Sequence, residues 1–137
     1  MIWSVNLNYM VISGWNKKYN EILKEFSYNK KDDIKSAKIL NSKINKKIPK
    51  TTLTKLIQNN DVFIIGAGPS LLKSINILKK FSSGVKIVAD GAIQVLLENN
   101  LKADILVTDL DGDLKSIKKI GKTDTLIFVH AHGDNID

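Results

Sequence analysis

From Asp61 onward, four short runs rich in β-branched residues, Val62–Ile65, Val85–Ala89, Ile105–Thr108 and Leu126–Val129, alternate with stretches of helical periodicity. Strands joined by helical crossovers form a parallel sheet with helices on its faces, so the pattern predicts an α/β fold. The helices are expected at about residues 69–81, 92–99 and Leu114–Ile120. Crossovers of this kind are right-handed by default, and such sheets bind ligands at the carboxyl ends of their strands.

Ahead of these runs the texture differs. Apolar residues recur at spacings of three and four: Trp15, Tyr19, Ile22, Leu23 and Phe26, then Ile34, Ala37, Leu40 and Ile44, then Leu53, Leu56 and Ile57. That spacing places one apolar stripe on each of several amphipathic helices. Residues 27–29 break the first run, Asp32 or Asp33 suits the first turn of the second, and Pro49 is expected to end it. The chain is therefore divided into an N-terminal helical segment, residues 1–58, and an α/β domain, residues 59–137, whose expected nucleotide and metal ligands rest on its strand-end motifs.

Charge follows the same division: residues 1–60 carry 12 lysines against 4 acids, and residues 61–137 carry 9 against 10. The net charge of +7 contains no arginine, so the bidentate forks that grip phosphate or read guanine are missing. Nucleic acid is not the expected partner. The lysines are read as a solvated helix face, with a lid or anion-contact role as the alternative. The absence of cysteine excludes thiolate metal sites, disulfides and cysteine nucleophiles. A metal here must be held by oxygen or imidazole. No apolar run approaches the ~20 residues of a spanning helix. The uncharged opening, with Ser4, Asn6, Asn8 and Ser13 interrupting it, makes a poor signal peptide, so no membrane partner and a cytoplasmic address are expected.

Each strand end carries a polar motif. After the first come Gly66, Ala67, Gly68, Pro69 and Ser70: the glycines let backbone approach a ligand, and Pro69 suits the first helical position, leaving the amides of Ser70 and Leu71 outward. The turn departs from both the P-loop and GxGxxG patterns, and it reads either as an anion site or as a tight structural turn. After the second strand, Asp90 would take ribose hydroxyls in a dinucleotide fold or cap the next helix, and Gly91 allows close backbone approach. After the third, Asp109, Asp111 and Asp113 alternate. Such carboxylates repel one another unless a cation neutralises them. A calcium loop fits poorly, since Gly112 is fourth and Ile120 twelfth, and Mg2+ completed by substrate phosphates fits better. Asp113 is either a third ligand or a helix cap. After the fourth strand, His130 and His132 precede Asp134, and His132 or Asp134 is favoured for catalysis because His130, nearest the strand, is expected to be buried.

Taken together, FIIGAGPSL, VADGA, ADILVTDLDGD and HAHGDN resemble the archaeal 6-hydroxymethyl-7,8-dihydropterin diphosphokinases related to thiamine pyrophosphokinase. Phe26, Ser27, Tyr28, Asp32, Ser36, Ala37 and Leu40 resemble that family's helical leader, so the likeness covers nearly the whole chain. It implies a thiamine pyrophosphokinase-like fold and Mg2+-dependent transfer of diphosphate from ATP to the pterin, giving AMP and a product used in tetrahydromethanopterin or folate synthesis. By the same resemblance Asp109 and Asp111 would hold metal and serve catalysis, and residues 66–70 would face the nucleotide; their place at the same sheet edge adds Asp90 and Gly91 to the nucleotide side, His132 and Asp134 to catalysis, and Asp134 to the metal. A further helix is expected after HAHGDN and family members are longer, so the chain is expected to be C-terminally truncated. Association of copies of the chain is left open.

Three other enzyme classes account for fewer motifs. An NAD-dependent oxidoreductase would use the glycine turn and Asp90 but not the acids or histidines. HAHGD is close to the HxHxDH of binuclear metallohydrolases, with Asn135 in place of the last histidine. DLDGD suits a haloacid dehalogenase-type phosphatase, whose nucleophile normally follows the first strand. A nucleotide-binding module without catalysis is the non-enzymatic alternative.

Overall fold

The computed structural model describes residues 13–45 and 47–133. Its elements run α1 (Trp15–Glu25), α2 (Lys30–Lys43), α3 (Lys50–Ile57), β1 (Val62–Ile65), α4 (Leu71–Lys80), β2 (Val85–Ala89), α5 (Asp90–Glu98), β3 (Ile105–Thr108), α6 (Leu114–Ile120) and β4 (Leu126–Val129). The strands pair in the order β1-β2-β3-β4, all parallel, with Ile65 opposite Val88, Val88 opposite Leu106 and Leu106 opposite Ile127. All four strands form at the residues expected. Because the order advances in one direction, crossovers of one hand place α4, α5 and α6 on the same face. The crossover helices thus share one layer and are not divided between the two faces.

The core lies between that layer and one face of the sheet. Ile65, Val88 and Leu106, side by side on three neighbouring strands, pack with Leu71, Ile75 and Leu78 of α4, Ala92, Ile93 and Leu96 of α5, and Ile117 and Ile120 of α6. The spacing within α4 and α5 is that of a single helical stripe. Val88, Ile93, Leu96 and Leu106 are wholly buried, each worth about 1.5–3 kcal/mol relative to exposure. The other face is largely open: Ile64 is 86% exposed and Val107 44%, while Val85 and Ile105, towards the strand starts, are buried. Away from the strand ends that carry the polar motifs, buried Lys86 donates through Nζ to the carbonyls of Phe81, Ser82 and Gly84 at 3.4, 3.1 and 2.8 Å, tying the α4–β2 turn to the sheet.

The leading helices begin as their sequences imply. At α2 the Asn29 side chain accepts from the Lys31 amide at 3.0 Å, and Asp32 and Asp33 occupy the first turn, where the helix dipole favours acids. Its end is different: α2 stops at Lys43 and not at Pro49, which instead precedes α3. The apolar stripes are also less covered than amphipathic helices require. Trp15, Ile22, Phe26, Ile34 and Ile44 are exposed, and neither α1 nor α3 buries a residue. Helix α2 lies beside the edge strand β4: a cavity of about 730 Å3 is lined by Ile34, Leu40 and Ile44 and by Phe128 and Val129. No helix among the described residues is long and apolar enough to cross a membrane. Residues 1–12, on which the signal-peptide reading rests, lie outside the described residues.

Candidate active site

Asp90 and the loop after β3 meet at the carboxyl edge of the sheet. Asp90, Asp109 and Asp111 each offer a carboxylate oxygen, and these atoms lie within 4.8 Å of one another. The arrangement is built locally. Buried Thr108, the last residue of β3, donates through Oγ1 to Asp90 Oδ2 at 2.7 Å and accepts from the Leu110 amide at 2.9 Å. The backbone turns at Leu110 through φ 73°, a left-handed conformation that costs a residue with a Cβ about 1–3 kcal/mol. Asp109 and Asp111, on either side of that turn, come within hydrogen-bond reach of each other. Gly112 completes the approach, because a Cβ there would lie 3.0 Å from the Asp90 Cβ and Cγ.

The electrostatics are those of crowded anions. The Asp111 carboxyl is held above the ordinary carboxylate value, first by its hydrogen bond with Asp109, then by the negative charge of Asp109 and by that of Asp90. Asp109 is lowered correspondingly, chiefly by the bond from Asp111, with His132 contributing. Three carboxylates whose oxygens converge in this way offer the hard donors that a divalent cation takes, so this donor set fits Mg2+. Asp90, expected on the nucleotide side, lies beside Asp109 and Asp111. It does not cap α5 from outside: it is the helix's first residue, and its Oδ1 accepts from the Gly91 amide at 2.8 Å. Gly91 faces Ala67, 3.2 Å from where its Cβ would be, so its close approach is to the neighbouring turn. Asp113 is the cap of α6, accepting from the Ser116 amide at 3.0 Å and its hydroxyl at 2.6 Å.

The turn over residues 66–70 runs beyond β1, and α4 begins at Leu71, two residues later than expected. The Leu71 amide is used internally, donating to the Gly68 carbonyl at 3.0 Å, which removes one of the two amides assigned to an anion. The other features fit a ligand site. Ser70 makes no side-chain cap, and neither Gly66 nor Gly68 has a positive φ. A Cβ on Gly66 would meet nothing within 4 Å, and one on Gly68 only the Ser70 hydroxyl at 4.0 Å. Packing among the described residues therefore does not require either glycine.

At the end of β4, His132 Nε2 lies 3.4 Å from Asp109 Oδ2, and the His130 and His132 rings stack with centroids 5.3 Å apart. The burial argument for choosing between them is reversed: His130 is exposed and His132 half-buried. His132 is nonetheless the histidine that pairs with Asp109, while the His130 amide donates to the Thr108 carbonyl at 2.8 Å and prolongs the β3–β4 ladder. Asp134 lies outside the described residues. The next residue group was not legible from local motifs. The Gly133 amide donates to Asp33 Oδ1 at 2.9 Å, which seats the histidine loop on the N-terminus of α2 across a sequence separation of 100. Between them is a cavity of about 550 Å3, reached by Tyr19 and Tyr28 on the α1–α2 side and by Asp109, His130 and His132 on the sheet side.

The sequence pattern of 6-hydroxymethylpterin diphosphokinase, MptE-like, matches residues 21–137. The chain is similar to 6-hydroxymethyl-7,8-dihydropterin pyrophosphokinases of three archaea. It is 43% identical over 134 residues to that of Methanocaldococcus jannaschii, 93% of this chain and 56% of the relative. It is 38% identical over 128 residues to that of Pyrococcus furiosus (90% and 53%) and 30% identical over 128 residues to that of Methanothermobacter thermautotrophicus (93% and 55%). The chain thus spans about half the length of these relatives. With the family pattern covering most of the chain, including every strand-end motif, the chain belongs to the MptE-like 6-hydroxymethylpterin diphosphokinase family.

Proposed function

We propose that this chain carries the reacting edge of an enzyme that transfers diphosphate from ATP to the hydroxymethyl group of 6-hydroxymethyl-7,8-dihydropterin, releasing AMP. The observation that carries the reading is the convergence of Asp90, Asp109 and Asp111 within 4.8 Å, beside a glycine turn that packing alone does not require. Asp109 and Asp111, joined by Asp90, would hold Mg2+, with Asp134 as the further ligand expected from the sequence. When bound, the cation supplies charge neutralisation for the triphosphate. Backbone amides in the turn formed by Gly66, Gly68, Pro69 and Ser70 bind phosphate oxygens at the positive end of α4. His132, oriented by Asp109, takes the proton of the acceptor hydroxyl as its oxygen bonds to the β-phosphorus. The bond from the β-phosphorus to the oxygen bridging the α-phosphate breaks, and AMP leaves with that electron pair.

Mass spectrometry of products from ATP, Mg2+ and the pterin, using the full-length polypeptide, tests the reading. Pterin diphosphate and AMP are expected. An Asp109→Asn/Asp111→Asn double variant should fold and lose turnover by orders of magnitude, and His132→Gln should shift the pH–rate profile without changing Mg2+ affinity. Release of ADP, or full Mg2+-dependent turnover by the double variant, overturns it.

A further inference from the structure

We infer that the cavity between the α1–α2 turn and the histidine loop seats the acceptor ring, and that Asp32 determines its specificity by reading the 2-amino-4-oxo edge of the pterin. The inference rests on the diphosphotransfer reading. Its volume of about 550 Å3 falls in the range of small-molecule sites, roughly 300–1,000 Å3. Reacting groups stand on one side only: Asp109 and His132 line it from the sheet edge, so an acceptor lying here presents its hydroxymethyl group to them. The α1–α2 side is suited to a flat heterocycle. Tyr19 and Tyr28 line it, and Tyr28 stacks on Phe26 with ring centroids 5.8 Å apart and planes 18° from parallel, yet stays 57% exposed. An exposed aromatic pair of which Tyr28 lines the cavity offers a shelf for a ring.

The two acids at the start of α2 have different duties. Asp33 is occupied by the Gly133 amide at 2.9 Å, which holds the histidine loop. Asp32 is half-buried in the same wall, and its carboxylate takes no hydrogen bond or ion pair among the described residues. It sits against the histidine loop, where a Cβ on Gly133 would lie 2.9 Å from the Asp32 Cβ. A half-buried carboxylate with unused acceptors selects a ligand edge with adjacent donors. The pterin has one, its N3–H beside its 2-amino group, and a carboxylate can accept from both. Adenine sets its amino donor beside a ring acceptor and would turn a lone pair towards Asp32. The same chemistry therefore keeps the nucleotide base out of this cavity and leaves ATP to the glycine turn.

The test compares 6-hydroxymethyl-7,8-dihydropterin with its 2-oxo analogue, the corresponding lumazine, by equilibrium fluorescence binding and by steady-state kinetics on the full-length polypeptide. Wild-type protein should bind the lumazine at least about tenfold more weakly, because a carbonyl oxygen then faces the carboxylate. Asp32→Asn should raise the KM for the pterin about tenfold or more, leave the KM for ATP within about twofold, and narrow the pterin-to-lumazine preference. Equal wild-type binding of the two rings overturns the inference even if the variant fails to fold. So does an unchanged pterin KM in Asp32→Asn, or a parallel rise in both KM values. Absence of pterin diphosphate from the wild-type reaction would instead overturn the diphosphotransfer reading itself.

Discussion

Thr108 shows how much of the acidic cluster depends on one hydroxyl. It is 2% exposed, donates to Asp90 and accepts from the strained Leu110 amide, so it fixes a carboxylate on one loop and the turn of another. Thr108→Val keeps the shape and removes both bonds. The expected loss is about 1–3 kcal/mol of stability, from an unsatisfied Leu110 amide, and, at the Mg2+ site proposed above, weaker metal binding as Asp90 loses its anchor. Thr108→Ser should restore the Mg2+ affinity, measured by calorimetric titration, because the hydroxyl returns without the methyl. Equal affinity in Thr108→Val and wild type would show that Asp90 needs no such support. At this scale the sequence was informative about residue type and less so about role. Alternating acids announced Asp109 and Asp111, but nothing in the spacing brought Asp90 to them, because that juxtaposition is made by the β2–β3 pairing and the Thr108 hydroxyl. Asp32 and Asp33 were visible as helix-start acids, and their place at the site is set by packing across 100 residues.

The elements were legible where periodicity and burial agree. All four strands formed at the expected residues because short β-branched runs between turns admit little else, and Leu114–Ile120 formed as expected with Asp113 as its cap. The misjudged boundaries are at helix starts and stops, where a turn competes with the helix: Pro69 and Ser70 form a turn before α4, and α2 ends well before Pro49. Lys86 was opaque for a different reason, since alternation alone assigns a lysine to solvent and three carbonyls hold this one inside. The α6 cap gives a pH prediction. Hydrogen bonds from the Ser116 hydroxyl, then its amide, hold the Asp113 carboxyl below its ordinary value of 3.8. A lowered folded value means that the cap stabilises fully above about 3.8 and that this stability is lost as pH falls through the lower folded value. Asp113→Ala should therefore melt at a lower temperature than wild type at pH 7. The gap should close on acidification below the ordinary carboxylate range, and a gap independent of pH would show that the charge of the cap is immaterial.

On the scale of the whole molecule, a sheet that advances in one direction gathers its four carboxyl ends into one row, and the loops interlock along it. Gly91 rests against Ala67, Gly112 against Asp90, and Gly133 against Asp32 of α2. The site is thus assembled by successive contacts between loops and α2, with the strand-end loops supported by a single apolar layer beneath. Parallel sheets usually bury both faces, whereas here Ile64 and Val107 lie open on the face away from α4, α5 and α6. The two faces should respond oppositely to substitution in this 137-residue chain. Leu106→Ala opens a cavity in the helix-covered core and is expected to cost about 2–5 kcal/mol. Ile64→Lys replaces a side chain already in water and should change stability by no more than about 0.5 kcal/mol. Denaturant unfolding of both variants checks this. A large loss in Ile64→Lys would mean that the second face is covered in solution, and the one-layer account of what holds the site in place would fail.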